Sequence, residues 1–132
     1  HAGFSSGTPW LAVNPNYTAV NAAQQMTDLD SVFRYYQRLI ALRKEEPVLI
    51  YGAFRLLLAD HPQIFAYTRT LGDSRLLVLL NFSGSVADAG GIAGEVDLLN
   101  DKVLIGNYPG SESVVVGKLI LRPWEAIVLR LA

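Results

Sequence analysis

Ile64-Phe65-Ala66-Tyr67-Thr68-Arg69-Thr70, the break Gly72-Asp73-Ser74, and Leu76-Leu77-Val78-Leu79-Leu80-Asn81-Phe82 together decide the fold. In the first run Phe65, Tyr67 and Arg69 alternate with Ile64, Ala66, Thr68 and Thr70. A period of two describes a strand with one buried face and one wet face. The glycine-bearing break reads as a hairpin turn. Leu76 to Leu80 is apolar throughout, which suits a central strand covered on both faces. Further runs, Leu56-Leu57-Leu58, Lys102 to Tyr108, Ser113 to Leu121 and Glu125 to Leu131, are bounded by Gly, Pro, Asn, Asp or Ser. That punctuation is an all-β signature. Pro123 stands before the last run, where it costs no ladder bond. Ser83 to Gly94 is small and glycine-rich and reads as a loop. The second half of the chain therefore predicts about six to eight antiparallel strands closed as a β-sandwich.

Upstream of the strands lies one helical pattern. Val32, Phe33, Tyr36, Leu39 and Ile40 share one face at helical spacing. Asp28 is a candidate N-cap and Asp30 adds negative charge at the helix start, while Arg43 and Lys44 stand near its end. Pro47 should end the helix at or before Glu46. A single helix cannot bury its own stripe, so it must pack on the sandwich, on a partner, or on a neighbour outside these residues. Residues 1 to about 27 read as an irregular arm, with Gly3, Gly7, Pro9 and Pro15 in its first part. Asn14-Pro15 favours a turn. Loops rich in aromatic and amide groups more often shape a site than hold a core together. This loop has no element before it and the chain opens on His1, which suggests a segment cut from something larger.

Composition narrows the function classes. The 132 residues make one domain, or one domain with an appendage. With 51% apolar and 17% charged residues the chain is globular. A net charge of -1 without a basic stripe argues against nucleic acid. No apolar run approaches the ~20 residues that span a bilayer, and no secretory signal opens the chain, so no membrane partner is expected. Cysteine is absent, which excludes disulfides and thiolate metal sites and suits a cytoplasmic protein.

Candidate chemistry is sparse. His1 and His61 are far apart and read as surface residues. There is no His-x-x-x-His, P-loop, Gly-x-Gly-x-x-Gly or Gly-x-Ser-x-Gly motif, so neither metal nor cofactor is expected. Glycoside cleavage needs two carboxylates, roughly 5 Å apart in retaining enzymes. Here Asp60, Asp73, Asp88, Asp97, Asp101 and Glu112 read as turn residues, and Glu45-Glu46 as a solvated helix end. Trp10, Tyr17, Tyr108 and Trp124 could each offer a flat face to a sugar ring. For Tyr108 and Trp124 the competing reading, that they fill the sandwich core or its rim, is preferred.

Taken together, these residues match a known family. Ala2-Gly3-Phe4-Ser5-Ser6-Gly7-Thr8-Pro9-Trp10 and Val13-Asn14-Pro15-Asn16-Tyr17 resemble a segment late in the catalytic barrel of oligo-1,6-glucosidase-type α-glucosidases. These belong to the α-amylase superfamily, glycoside hydrolase family 13. Asp30 to Lys44 resembles the family's final barrel helix. Gly52-Ala53-Phe54, Ile64 to Arg69, Leu77 to Ser83 and Leu121-Arg122-Pro123-Trp124-Glu125-Ala126 follow the order of its C-terminal β-sandwich. The resemblance implies a barrel end over residues 1–50 and a sandwich over residues 51–132. It implies a parent that cleaves α-glucosidic bonds of short gluco-oligosaccharides with retention. No position here matches the family's catalytic Asp, Glu and Asp motifs, so this chain alone should be inactive and lacks catalytic residues. By the same likeness Trp10, Asn14 and Tyr17 wall or brace the rim of the parent's pocket, or only pin the loop to the barrel. The partners implied are the protein's own barrel and an oligosaccharide substrate. Two rival readings stand beside this one: a β-sandwich that binds carbohydrate on exposed aromatics, and a protein-interaction domain using the helix stripe.

Overall fold

The computed structural model describes residues 1–96, 102–111 and 119–132. Asp97, Asp101, Glu112 and most of the strand expected over Ser113 to Leu121 lie outside them. The described part is mainly β, with two antiparallel sheets preceded by short helices.

Residues 1–38 form one compact unit. The expected irregular arm ends earlier than residue 27, because α1 occupies Ala22–Thr27. Asn21 caps it: its side chain accepts from the Gln24 N–H at 3.0 Å and donates to the Tyr17 carbonyl at 3.0 Å. Helix α2, Val32–Glu45, follows. Asp28 is not its cap but ends α1, its N–H bonded to the Gln24 carbonyl and its carboxylate to the Asp30 N–H. Ser31 serves instead, accepting from the Arg34 N–H at 3.2 Å and donating to the Gln25 carbonyl at 2.6 Å. A side chain committed to one turn cannot cap the next.

Residues 39–132 form the second unit. Helix α2 stops at Glu45, as the proline requires, yet Pro47 also opens a new helix, α3 (Pro47–Tyr51). At the first helical position its missing N–H costs nothing. Gly52 then lets β1 begin against α3: a Cβ there would stand 2.5 Å from the Val48 carbonyl oxygen. The strands are β1 (Ala53–Leu57), β2 (Ile64–Leu71), β3 (Ser74–Asn81), β4 (Ala87–Asp88), β5 (Lys102–Gly106), β6 (Ile120–Leu121) and β7 (Ala126–Leu131). Sheet one runs β1-β2-β3-β7-β5 and sheet two pairs β4 with β6. The β2–β3 hairpin closes with Leu71 opposite Ser74 and Gly72 at φ +56°, where a glycine is needed.

Register builds the core in rows. Leu57, Ala66, Leu79 and Ile127 lie side by side across four strands, and Thr68, Leu77, Leu129 and Val103 form the next row. Ala87, Ala89, Ile92, Leu119 and Leu121 close the same cluster from the second sheet's side. The loop expected over Ser83 to Gly94 is therefore corrected: it holds β4 and a 3-10 turn, Gly90–Ile92, and buries three apolar side chains. Small alanines let this backbone approach the core closely. Asp88, read as a turn residue, sits in β4 and accepts from the Gly90 N–H at 2.7 Å.

The opposite face of the larger sheet is covered in part. Helix α3 packs over β2 and β3, and Val48, Leu76 and Val78 are buried. The Arg69 guanidinium donates to the carbonyls of Val48, Leu49 and Ile50. Glu46, expected to be solvated, pairs with Arg130. Tyr67 lies 5.0 Å from Phe54 and 5.5 Å from Phe65 between ring centroids. Phe54, Leu56 and Phe65 are exposed.

Candidate functional site

Three places in the chain carry side chains that could act. The first is the N-terminal loop. The Tyr17 N–H donates to the Asn14 carbonyl at 3.1 Å and the Asn16 N–H to Asn14 Oδ1 at 3.3 Å. Asn14 and Tyr17 thus share the turn that Asn14-Pro15 signals. Trp10 stands upstream with 92% of its surface exposed.

The second is the corner between β6 and β7. Glu125 is buried, yet four donors reach its carboxylate: Ser111 Oγ at 3.1 Å, the Arg122 backbone N–H at 2.7 Å, Arg122 Nε at 3.1 Å and Arg122 Nη2. Burial alone would raise its pKa; the hydrogen bonds from Arg122 and Ser111 outweigh burial and hold it below the ordinary carboxylate range. The same carboxylate raises the Arg122 pKa. The Arg122 guanidinium stacks 4.3 Å over the Tyr108 ring and donates to the Pro109 carbonyl, and Tyr108 donates to the Pro123 carbonyl. A carboxylate so fully engaged fixes a turn rather than moving protons. In the sequence Glu125 reads only as the start of the last strand and as part of the Leu121 to Ala126 motif; Arg122 three residues earlier is the signal of the pairing.

Tyr108 is half-buried, and Trp124 is exposed with its indole against Gly84; of the two places expected for them, core or rim, neither residue is in the core. His61 is half-buried rather than a free surface group, its Nδ1 accepting from the N–H groups of Gln63 and Ile64. Among the described residues no three His, Cys, Asp or Glu side chains converge on a metal position.

The third place is helix α2. None of its residues is buried, and Val32, Phe33, Tyr36 and Ile40 are all exposed. An apolar face of this kind marks a surface made to be covered.

Residues 1–52 match the alpha amylase catalytic-domain family. An oligo-1,6-glucosidase of Halalkalibacterium halodurans is 46% identical over 97% of the chain, which spans 23% of that protein. The crystal structure of Bacillus licheniformis trehalose-6-phosphate hydrolase superposes on 99% of the chain with a TM-score of 0.89 at 35% identity, using 24% of its own length. Isomaltulose synthase from Klebsiella sp. LX3 superposes with a TM-score of 0.84 at 38% identity, over 99% of the chain and 23% of its own. The chain belongs to the α-amylase family, glycoside hydrolase family 13. Within it, the chain corresponds to the C-terminal part of an oligo-1,6-glucosidase-like protein and spans about a quarter of the length of the relatives it matches.

Proposed function

We propose that residues 1–50 complete a catalytic (β/α)8 barrel and that residues 51–132 form the β-sandwich behind it, in a cytoplasmic retaining α-glucosidase acting on short gluco-oligosaccharides. The exposed stripe of α2 carries this reading. It is the surface a last barrel helix presents to its neighbours, and the family match over residues 1–52 supports the division. The sandwich's part is to hold the barrel's end in place. Trp10, Asn14 and Tyr17 belong to the loop bordering the pocket; the exposure of Trp10 and the shared turn of the other two support that role. Catalytic carboxylates belong to the barrel strands of the longer protein. The test is an assay of both polypeptides on isomaltose and on an aryl α-glucoside. The longer protein is expected to release glucose and the 132-residue chain to release none. Turnover by the short chain, or inactivity of the longer one on every α-glucoside tried, overturns the reading.

A further inference from the structure

Helices α2 and α3 meet at a corner that their own backbones do not hold. Pro47 has no N–H to give to the Arg43 carbonyl, so the ladder of α2 is cut there. Helix α3 has five residues, too few to be stable by itself. One residue serves both elements. The Glu46 N–H donates to the Leu42 carbonyl at 2.9 Å, closing α2, and the Glu46 carbonyl accepts from the Leu49 N–H at 2.9 Å, opening α3. A corner made this way bends unless side chains fix it.

Guanidinium groups do the fixing. Arg69 of β2 reaches the end of α3: Nη2 stands 3.2 Å from the Ile50 carbonyl oxygen and 3.4 Å from that of Leu49, and Nε stands 3.5 Å from that of Val48. A helix leaves its last carbonyls without partners, and a cation suits that end. Arg43, in the last turn of α2, donates to the same Leu49 carbonyl at 3.4 Å, which ties the two helices together across the proline. Arg130 of β7 pairs with the Glu46 carboxylate. Beneath α3 the Val48 side chain is buried, and on its far side a Cβ on Gly52 would stand 3.1 Å from the Thr70 nitrogen of β2. The corner is thus held at its pivot by β7 and at its far end by β2. Attachments at separate points restrain rotation as well as translation. All of these residues lie within the unit formed by residues 39–132.

We propose that Glu46, Arg69 and Arg130 lock the α2–α3 corner to the larger sheet, so that residues 39–51 move with the sheet as one rigid body. The sheet then sets the direction in which the last turns of α2 run. This deepens the holding role given to the sandwich above and rests on that reading only for what the joint would hold; the joint itself is tested without any glucoside. The experiment measures N–H residual dipolar couplings of the 15N-labelled chain in a dilute liquid-crystalline medium. One alignment tensor is expected to fit residues 39–51 together with β2, β3 and β7. Arg69→Lys keeps the charge but gives up the planar fork that spans several carbonyls. In that variant the helical residues should need a tensor of smaller amplitude while the sheet keeps its own. Hydrogen exchange provides a second measurement: the Glu46 and Gly52 amides should exchange about tenfold faster in Arg69→Lys, with Leu77 and Leu79 unchanged. Glu46→Gln and Arg130→Gln should each act in the same direction, and together should do no more than either alone. The proposal is overturned if the parent chain needs separate tensors, if Arg69→Lys leaves both measurements as they were, or if the Glu46 and Arg130 effects add. It is overturned equally if Arg69→Lys speeds Leu77 and Leu79 by the same factor, which would make Arg69 a support of the whole sheet.

Discussion

A carboxylate shielded from solvent keeps its charge only if donors surround it, and Glu125 has four. Because its pKa is lowered in the fold, its contribution to stability is complete above the ordinary carboxylate value of about 4.3. As pH falls below that value the unfolded chain takes up a proton that native Glu125 refuses, so stability drops. The contribution is gone once pH passes the folded pKa. Glu125→Gln puts an amide N–H2 where the Arg122 guanidinium donates, leaving donor against donor. Urea unfolding at pH 7 should show a loss of roughly 1–3 kcal/mol, and the gap from the parent sequence should narrow as pH falls below about 4. A gap independent of pH would mean that the charge is immaterial. Gly52 makes a separate case. Its φ of −63° suits any residue, yet a Cβ would press on the Val48 carbonyl. Gly52→Ala should therefore cost roughly 1–3 kcal/mol by the same measurement, the reverse of the small gain the exchange brings at an open site.

Elements differ in how visible their causes are in sequence. The strand β3 was legible because it is buried on both faces and its apolar run needs no phase. In β2 the alternation correctly separated Ile64, Ala66 and Thr68 from Phe65, Tyr67 and Arg69, but alternation says only which residues share a face. What covers the second face is α3, a helix that starts at the proline expected to end one. Helix α1 carries no buried residue and therefore no stripe; its cause is the Asn21 cap, a signal of one side chain. The strand β4 is two residues long, too short for any period. Helix α2 was legible as a face and misplaced at its start, where Asp28 and Ser31 compete for the cap. Ser31→Ala should lower stability by about 1 kcal/mol and Asp28→Ala by less, read from thermal unfolding; the opposite order would return the cap to Asp28. The candidate sites divide likewise. The turn holding Asn14 and Tyr17 was written in Asn14-Pro15, whereas the pose of Trp124 depends on a φ and on a glycine forty residues away.

At the scale of the molecule, exposed apolar side chains among the described residues include the stripe of α2 and a group on the larger sheet formed by Phe54, Leu56 and Phe65. Most surfaces of a self-sufficient domain scatter such groups singly. The chain matches about a quarter of its relatives' length, and under the function proposed above the rest of the barrel is the occupant of these faces. The idea separates two measurements on one substitution. Tyr36→Gln replaces an exposed ring with a good helix former, so in the 132-residue chain it should change stability by no more than about 0.5 kcal/mol. In the longer protein the same ring is proposed to be packed, and losing it there should cost roughly 3–5 kcal/mol, the range for emptying a buried aromatic site. Thermal unfolding of both proteins with and without the substitution makes the comparison. A large effect in the long protein alone places the barrel over α2. Equal small effects in both would leave the stripe exposed even in the parent, and α2 would then be the surface of an interaction domain rather than the last helix of a barrel.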